Sequence, residues 1–288
     1  MKRATQSKVF YFILFCFLFS ANLQSQSMQQ IHLWPGTVPG ETEPKAIDVV
    51  SEDNKGDVKR IARVTDPIMD VYQPEKSKSN GIGVIVCPGG GYGILAIDKE
   101  GYEIASWLKD LGYTAFVLHY RVPQKRLGAL QDAQRAMRIV KSGAQKWGID
   151  AEKIGIMGFS AGASLSARLS TLYGEQIYEA IDDADKLSCK PAFTALIYPA
   201  YLDEGPNRSL TPELKVSDQT PPMFLFETAD DPYGNSALVM AGALRDAKVP
   251  VELHYLPFGG HGYGLRKGND AAEAWPVFLS KWLMKIQK

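Results

Sequence analysis

The sequence predicts an α/β fold, a three-layer α/β/α sandwich built around a mainly parallel sheet. Three observations lead there. From residue 82 to the C-terminus, short runs rich in β-branched residues alternate with longer segments of helical apolar spacing. The short runs are apolar throughout, so both faces of the sheet must be covered. The repeated strand–helix order implies right-handed crossovers, which place helices on both sides.

The elements follow in order. Ile82 to Cys87 (IGVIVC) reads as a buried strand, and Lys99 to Leu111 as a helix with Ile104, Ala105, Leu108 and Leu111 on one face. Thr114 to His119 is a strand and Leu127 to Trp147 a long helix. Lys153 to Met157 is a strand that runs into a helix from Ala161 to Leu172. Phe193 to Tyr198 and Met223 to Thr228 are further strands, then Ser236 to Ala247 a helix, Val251 to Leu256 a strand and Ala272 to Ile286 a closing helix. Upstream, Ile61 to Gln73 holds two weaker strand candidates (IARV and MDVY) suited to an antiparallel edge. Residues 28–60 are polar and rich in Gly, Pro and acids, and no regular structure is expected there. Pro199 to Pro222 reads as a long surface loop over one end of the sheet.

The chain has 288 residues, 45% of them hydrophobic, which suffices for one substantial core. Residues 28–288 are therefore expected to form a single domain, with no repeat or linker. Residues 1–27 are set apart. Lys2, Arg3 and Lys8 precede an unbroken apolar run from Val9 to Phe19, and a small, polar stretch from Ser20 to Ser27 follows. That is the layout of a secretory signal peptide. Eleven apolar residues at about 1.5 Å each are too short to span a bilayer, so no stable membrane insertion is expected after cleavage. The expected location is periplasmic or secreted. Cys16 lacks the small residues that a lipidation site would place before it.

Lys+Arg and Asp+Glu are both 32, and no basic stripe suited to phosphates appears, so nucleic acid is not an expected partner. Past the N-terminal segment only Cys87 and Cys189 remain, which is no disulfide framework. Cys87 closes an apolar strand, and burial as a small hydrophobe is the expectation. No H-E-x-x-H or paired-Cys pattern occurs, so neither metal nor cofactor is expected. The cluster Asp182, Asp183 and Asp185 reads as a solvated helix end or loop.

Chemistry enters at Gly158-Phe159-Ser160-Ala161-Gly162, between the strand KIGIM and the helix that begins at Ala161. A serine on a tight strand-to-helix turn is strained, and flanking glycines relieve the crowding, so its hydroxyl projects above the sheet's carboxyl edge. Serine needs a base to act as a nucleophile. Of four histidines, His32 lies in a polar arm, His119 ends a strand and His254 sits inside one. His261, in Gly259-Gly260-His261-Gly262 between the last strand and last helix, alone has room to reach that edge. The imidazole needs a carboxylate to fix its tautomer. The strand MFLFET runs into Asp230 and Asp231, and Pro232 fixes the turn at Asp231, which is taken as the acid. The spacings from Ser160 to Asp231 and on to His261 are 71 and 30 residues, enough for one strand–helix unit each.

An attacked carbonyl becomes an oxyanion and needs fixed N–H donors. Pro88-Gly89-Gly90-Gly91-Tyr92 follows the strand IGVIVC directly, and the amide after the nucleophile, Ala161, would complete the set. Gly91 to Ala96 also fits G-x-G-x-x-A, but the next strand ends in His119-Tyr120-Arg121 and lacks the ribose-binding acid of a dinucleotide site. Tyr92, Tyr201, Tyr233 and Tyr263 lie on loops expected near the pocket. Such rings either pack on sugars or fill loop cores, and Tyr92, Tyr233 and Tyr263 are taken as the candidate substrate-binding residues.

With these motifs in place, the sequence resembles the acetyl-esterase and hormone-sensitive-lipase-like branch of the α/β-hydrolases. It is similar to secreted bacterial enzymes described as acetyl xylan esterases or xylanase-associated esterases. The resemblance runs from Ile31 to the C-terminus. It rests on LWPG (Leu33 to Gly36), CPGGGYG (Cys87 to Gly93), LQDAQRAMRIV (Leu130 to Val140), GFSAGA (Gly158 to Ala163) and GGHGYGL (Gly259 to Leu265). It implies Ser160 as nucleophile, His261 as base and Asp231 as orienting acid. Gly90, Gly91 and Ala161 would be the oxyanion donors, and a small acyl ester or acetylated polysaccharide such as xylan the substrate. Two departures stand out. Pro88 replaces the His that often opens the oxyanion motif, and Tyr233-Gly234-Asn235 replaces the usual Val and Pro after the acid turn. The rival readings are a peptidase, a general carboxylesterase or lipase, and a non-catalytic binding protein on the same scaffold. The chain has no room for a peptidase's gating domain and carries no long apolar lid, while a binding protein would usually have lost a member of the Ser–His–Asp set.

Overall fold

The computed structural model describes residues 29–53 and 55–286, so the expected signal segment lies outside the described residues. Among the described residues there are ten strands: β1 Gln29–His32, β2 Val49–Val50, β3 Ile61–Arg63, β4 Ile68–Tyr72, β5 Gly83–Cys87, β6 Thr114–His119, β7 Ile154–Phe159, β8 Thr194–Ile197, β9 Met223–Thr228 and β10 Val251–Leu256. The α-helices are α1 Glu103–Asp110, α2 Arg126–Ser142, α3 Ala161–Leu172, α4 Asn235–Asp246 and α5 Asp270–Ile286.

Eight strands form one sheet in the order β1-β4-β6-β5-β7-β8-β9-β10. The six from β6 to β10 are parallel, while β4 and β1 add antiparallel at one edge. β5 through β9 are buried along their whole length, which is why their sequences lack alternation. From β5 the chain first turns to β6 on one side and then to β7 on the other. The carboxyl ends of β5 and β7 therefore flank a topological switch point, where open α/β sheets bind ligands.

Several expectations change. The polar stretch before β3 is not without regular structure. β1 pairs with β4 through a polar stretch, QQIH, whose half-exposed edge position hides it from hydrophobic patterning. Of the two upstream candidates only MDVY joins the main sheet, since β3 pairs with β2 in a separate two-stranded ribbon. The expected helix from Lys99 begins as a π-helical turn, Asp98–Tyr102, before α1. Helix α2 stops at Ser142 because Trp147 folds back over Gly143, where a Cβ would sit 2.7 Å from its ring. Asp185 is buried, not solvated: it accepts from Tyr178 Oη at 2.6 Å and pairs with Arg135 at 3.0 Å, and Asp182 pairs with the same guanidinium. Cys87 and Cys189 are buried and free, and burial pushes the Cys87 thiol up to about 12.

Candidate active site

Ser160 stands where β7 turns into α3, with φ 51° and ψ −117°, a backbone region that costs a side chain of order 1–3 kcal/mol. Its surroundings hold it there. Ser160 N–H donates to Ile197 O at 3.1 Å, and its carbonyl accepts from Ala163, Ser164 and Ala200. The flanking glycines answer a packing demand. A Cβ on Gly158 would lie 2.1 Å from Gly162 O, and one on Gly162 would lie 2.0 Å from Cys87 O. The G-x-S-x-G spacing thus lets α3 start hard against β5 and β7.

His261 reaches the serine from the loop between β10 and α5. Its Nε2 lies 2.7 Å from Ser160 Oγ and its Nδ1 2.6 Å from Asp231 Oδ2. Nδ1–H donating to Asp231 leaves Nε2 free to accept the serine proton. The Asp231 side chain is wholly buried, and its Oδ1 accepts from Tyr233 N–H at 2.8 Å. Of the two neighbouring acids, Asp231 meets the imidazole. Asp230 is solvent-exposed and accepts from the amides of Gly259 and Gly260 at 3.2 and 2.8 Å, which fixes the loop carrying His261. The Gly260 and Gly259 amides together hold the Asp230 carboxyl below its usual range, against slight burial.

The glycine turn after β5 faces the same point. Gly90 and Gly91 line a cleft of about 310 Å³ with Ser160, His261, Tyr201 and Tyr233. Among the described residues the N–H groups of Gly90, Gly91 and Ala161 donate to no protein acceptor. Gly90 could carry no side chain, because a Cβ there would lie 2.2 Å from Ile94 O. The Gly89 amide points elsewhere, donating to Glu100 Oε2 at 2.8 Å. Glu100 Oε1 accepts from Tyr198 Oη at 2.9 Å, and that oxygen accepts from Gly264 N–H at 3.1 Å. One buried carboxyl therefore ties the glycine turn to the His261 loop. Burial pushes it above the usual carboxylate range, and the bonds from Tyr198 and Gly89 oppose that.

Sequence reasoning missed Glu100, reading it only as part of a helix. A signal existed, since Glu100, Ile104 and Leu108 are four apart and share the buried face. The tyrosines divide. Tyr233 and Tyr201 stand on the cleft wall, their rings 5.5 Å apart, and Tyr233 is 5.0 Å from His261. Tyr92 and Tyr263 do not line the cleft, which corrects their assignment to substrate binding. Tyr92, at φ 58°, is buried against Tyr120 and Tyr201 with Arg126 over its ring. Tyr263 is buried edge-on against Tyr198 at 4.4 Å.

A parallel sheet with a strained serine after one strand, a histidine on the last loop and glycine amides between them defines the α/β-hydrolase class. Residues 69–197 match the BD-FAE family. The solved structure of an acetyl ester-xyloside bifunctional hydrolase from Caldicellulosiruptor lactoaceticus superimposes with a TM-score of 0.74 at 31% identity, covering 90% of this chain and 97% of that one. An acetylxylan esterase of Xylanibacter ruminicola is 30% identical over 76% of this chain and 48% of its own length. Endo-1,4-beta-xylanase B of Butyrivibrio fibrisolvens is 33% identical over 69% of this chain and 34% of its own. The chain thus spans half or less of the length of these two curated relatives. It belongs to the α/β-hydrolases.

Proposed function

We propose that this protein is an exported serine esterase that removes small acyl groups, acetate foremost, from acetylated plant polysaccharide such as xylan. The observation that carries the reading is the unbroken line from Ser160 Oγ to His261 Nε2 at 2.7 Å and from His261 Nδ1 to Asp231 at 2.6 Å. In this reaction His261 takes the Ser160 proton as Oγ attacks the ester carbonyl. The oxyanion that forms accepts from the N–H groups of Gly90, Gly91 and Ala161. His261 then protonates the leaving alcohol, an acyl-serine remains, and water activated by the same imidazole releases the acid.

Tyr201 and Tyr233 give the cleft an aromatic wall on which a pyranose ring can pack. The relatives described as an acetylxylan esterase and a xylanase support the polysaccharide, and the apolar run from Val9 to Phe19 supports export. Ser160→Ala should abolish hydrolysis of p-nitrophenyl acetate while thermal unfolding stays nearly unchanged, and retained turnover refutes the nucleophile. Activity should decline steeply along an acyl series from acetate to decanoate. Acetate release should be faster from acetylated xylan than from acetylated pectin, and the reverse order would reassign the substrate. Export predicts that the protein recovered from periplasm or medium begins near Ser25.

A further inference from the structure

A second acid lies behind Asp231. Glu227, on β9, is wholly buried. Its Oε1 accepts the N–H of Thr228 at 2.8 Å, and Oε2 has no hydrogen-bond donor among the described residues. Asp231 is the side chain that acts on it most strongly, through its charge and as a side-chain hydrogen-bond partner, and Asp230 adds a smaller negative charge. Two phenols face the same acids from other elements. Tyr255 stands opposite Glu227 on β10, with Arg208 acting on it from the outside, and Tyr263 belongs to the His261 loop with a hydroxyl that has no partner. Among the described residues no cation forms an ion pair with Glu227.

Two ionised carboxylates in contact, out of water and without a cation, repel strongly, and one of them takes up a proton. Asp231 already accepts from His261 at 2.6 Å and from the Tyr233 amide at 2.8 Å. Glu227 accepts one. A proton on Oε2 removes the repulsion and turns an orphaned acceptor into a donor. We propose that Glu227 is a positioning residue that keeps a proton on Oε2 at neutral pH and donates it as a hydrogen bond to Asp231. The role rests on the reading of Asp231 as the acid behind His261. With it, Asp231 is gripped by three donors, and the carboxylate that orients the imidazole cannot swing.

Burial, together with Asp231, pushes Glu227 up to about 9 from its ordinary 4.5. The folded chain therefore holds a proton that the unfolded chain has lost between those values, so stability falls as pH rises from about 4.5 to about 9 and levels off above.

The test sets Glu227→Gln and Glu227→Ala beside the unmodified chain. Glutamine copies the protonated acid, with Oε1 accepting from Thr228 and Nε2 donating to Asp231. Glu227→Ala should lose about tenfold or more in kcat on p-nitrophenyl acetate with KM little changed, and Glu227→Gln should restore kcat to within about threefold with the acidic limb of its pH profile in place. In a Ser160→Ala background, which needs no turnover, Glu227→Gln should gain in Tm over its parent as pH rises from about 5 to about 9. The infrared C=O band of a protonated carboxyl at neutral pH should vanish with the same change. Glu227→Gln as damaged as alanine, with its acidic limb moved to lower pH, would mean that a negative charge has been lost and would overturn the proposal. So would a Tm difference independent of pH. Should Glu227→Ala fail to fold, the glutamine comparison in the Ser160→Ala background decides alone. An unmodified chain with no esterase activity but with the infrared band intact would refute the esterase reading and leave the shared proton standing.

Discussion

His119 and His261 are both held by carboxylates, yet among the described residues only His261 also meets a serine hydroxyl. His119 lies 2.5 Å from Asp48 through Nδ1 and 3.0 Å from Asp70 through Nε2, and Tyr102 adds a bond to Asp70. With an acid on each ring nitrogen it is a donor twice over and has no lone pair to offer. His261 has an acid on one side and a hydroxyl on the other. Each histidine borders a cavity, and the one beside His119 is the larger, at about 530 Å³ against 310 Å³. Cavity size does not pick out the base. What does is asymmetry, a single carboxylate that fixes the tautomer and leaves the far nitrogen open.

The sharpest way to break that comparison is to remove each imidazole. His261→Ala should lower kcat/KM for p-nitrophenyl acetate by ~10⁴-fold or more with little change in Tm. His119→Ala strands the buried Asp70 beside the half-buried Asp48 and should cost about 3–5 kcal/mol of stability in a denaturant titration, with kcat/KM of the folded protein within about twofold. A catalytic collapse in His119→Ala without loss of stability would erase the distinction. Nearly as large is the contrast of neighbouring acids. Asp231→Asn should lose ~10⁴-fold in kcat, whereas Asp230→Asn, which only loosens the loop amides, should lose about tenfold or less. Equal losses would leave the acid role unassigned to either.

A smaller effect is expected from pH. Burial lowers the His119 pKa, but Asp48 and Asp70 outweigh it and the net shift is upward from 6.5. A raised folded value means that the stabilisation is complete below 6.5 and is lost as pH rises through the folded value. The stability gap between the unmodified chain and His119→Gln should therefore shrink on going alkaline, as chemical denaturation across pH would register. Smallest is Tyr233→Ala, worth about 1 kcal/mol of ring packing. It should raise KM on acetylated xylan about fivefold and alter p-nitrophenyl acetate less.

Much of this was legible in the sequence where the signal is local. The strands at Thr114–His119 and Met223–Thr228 are largely apolar runs and Val251–Leu256 alternates polar with apolar, and all three form over the residues expected. β1 was not legible, because a polar tetrapeptide becomes a strand only when β4 presents it with a backbone edge. Glycines around Ser160 advertise the tight turn, and a histidine in a glycine loop advertises reach. Glu227 carries no such mark, and neither the helical spacing of Glu100 nor the place of Asp230 after a strand says what each one holds. Acids are common, and what makes these three matter is which of them is shut away from water, and against what. Tyr92 and Tyr263 show the same gap from the other side. A loop position says that a ring is near the cleft, not which way its backbone turns it.

Taken alone, the sequence determined the alternation of elements, the apolar strands that demand covering helices, and the reactive groups available: one serine on an elbow, one histidine on a late loop, two acids after β9. The sequence favoured Asp231 over Asp230 through Pro232; tertiary structure alone decided that Asp230 instead holds the Gly259 and Gly260 amides, that Glu100 joins two loops, and that Glu227 stands near Asp231. The physical reason is that propensity and patterning act over a few residues. Hydrogen bonds and desolvation act over a few ångströms, and across this sheet those few ångströms join Ser160 to His261, 101 positions apart in the chain.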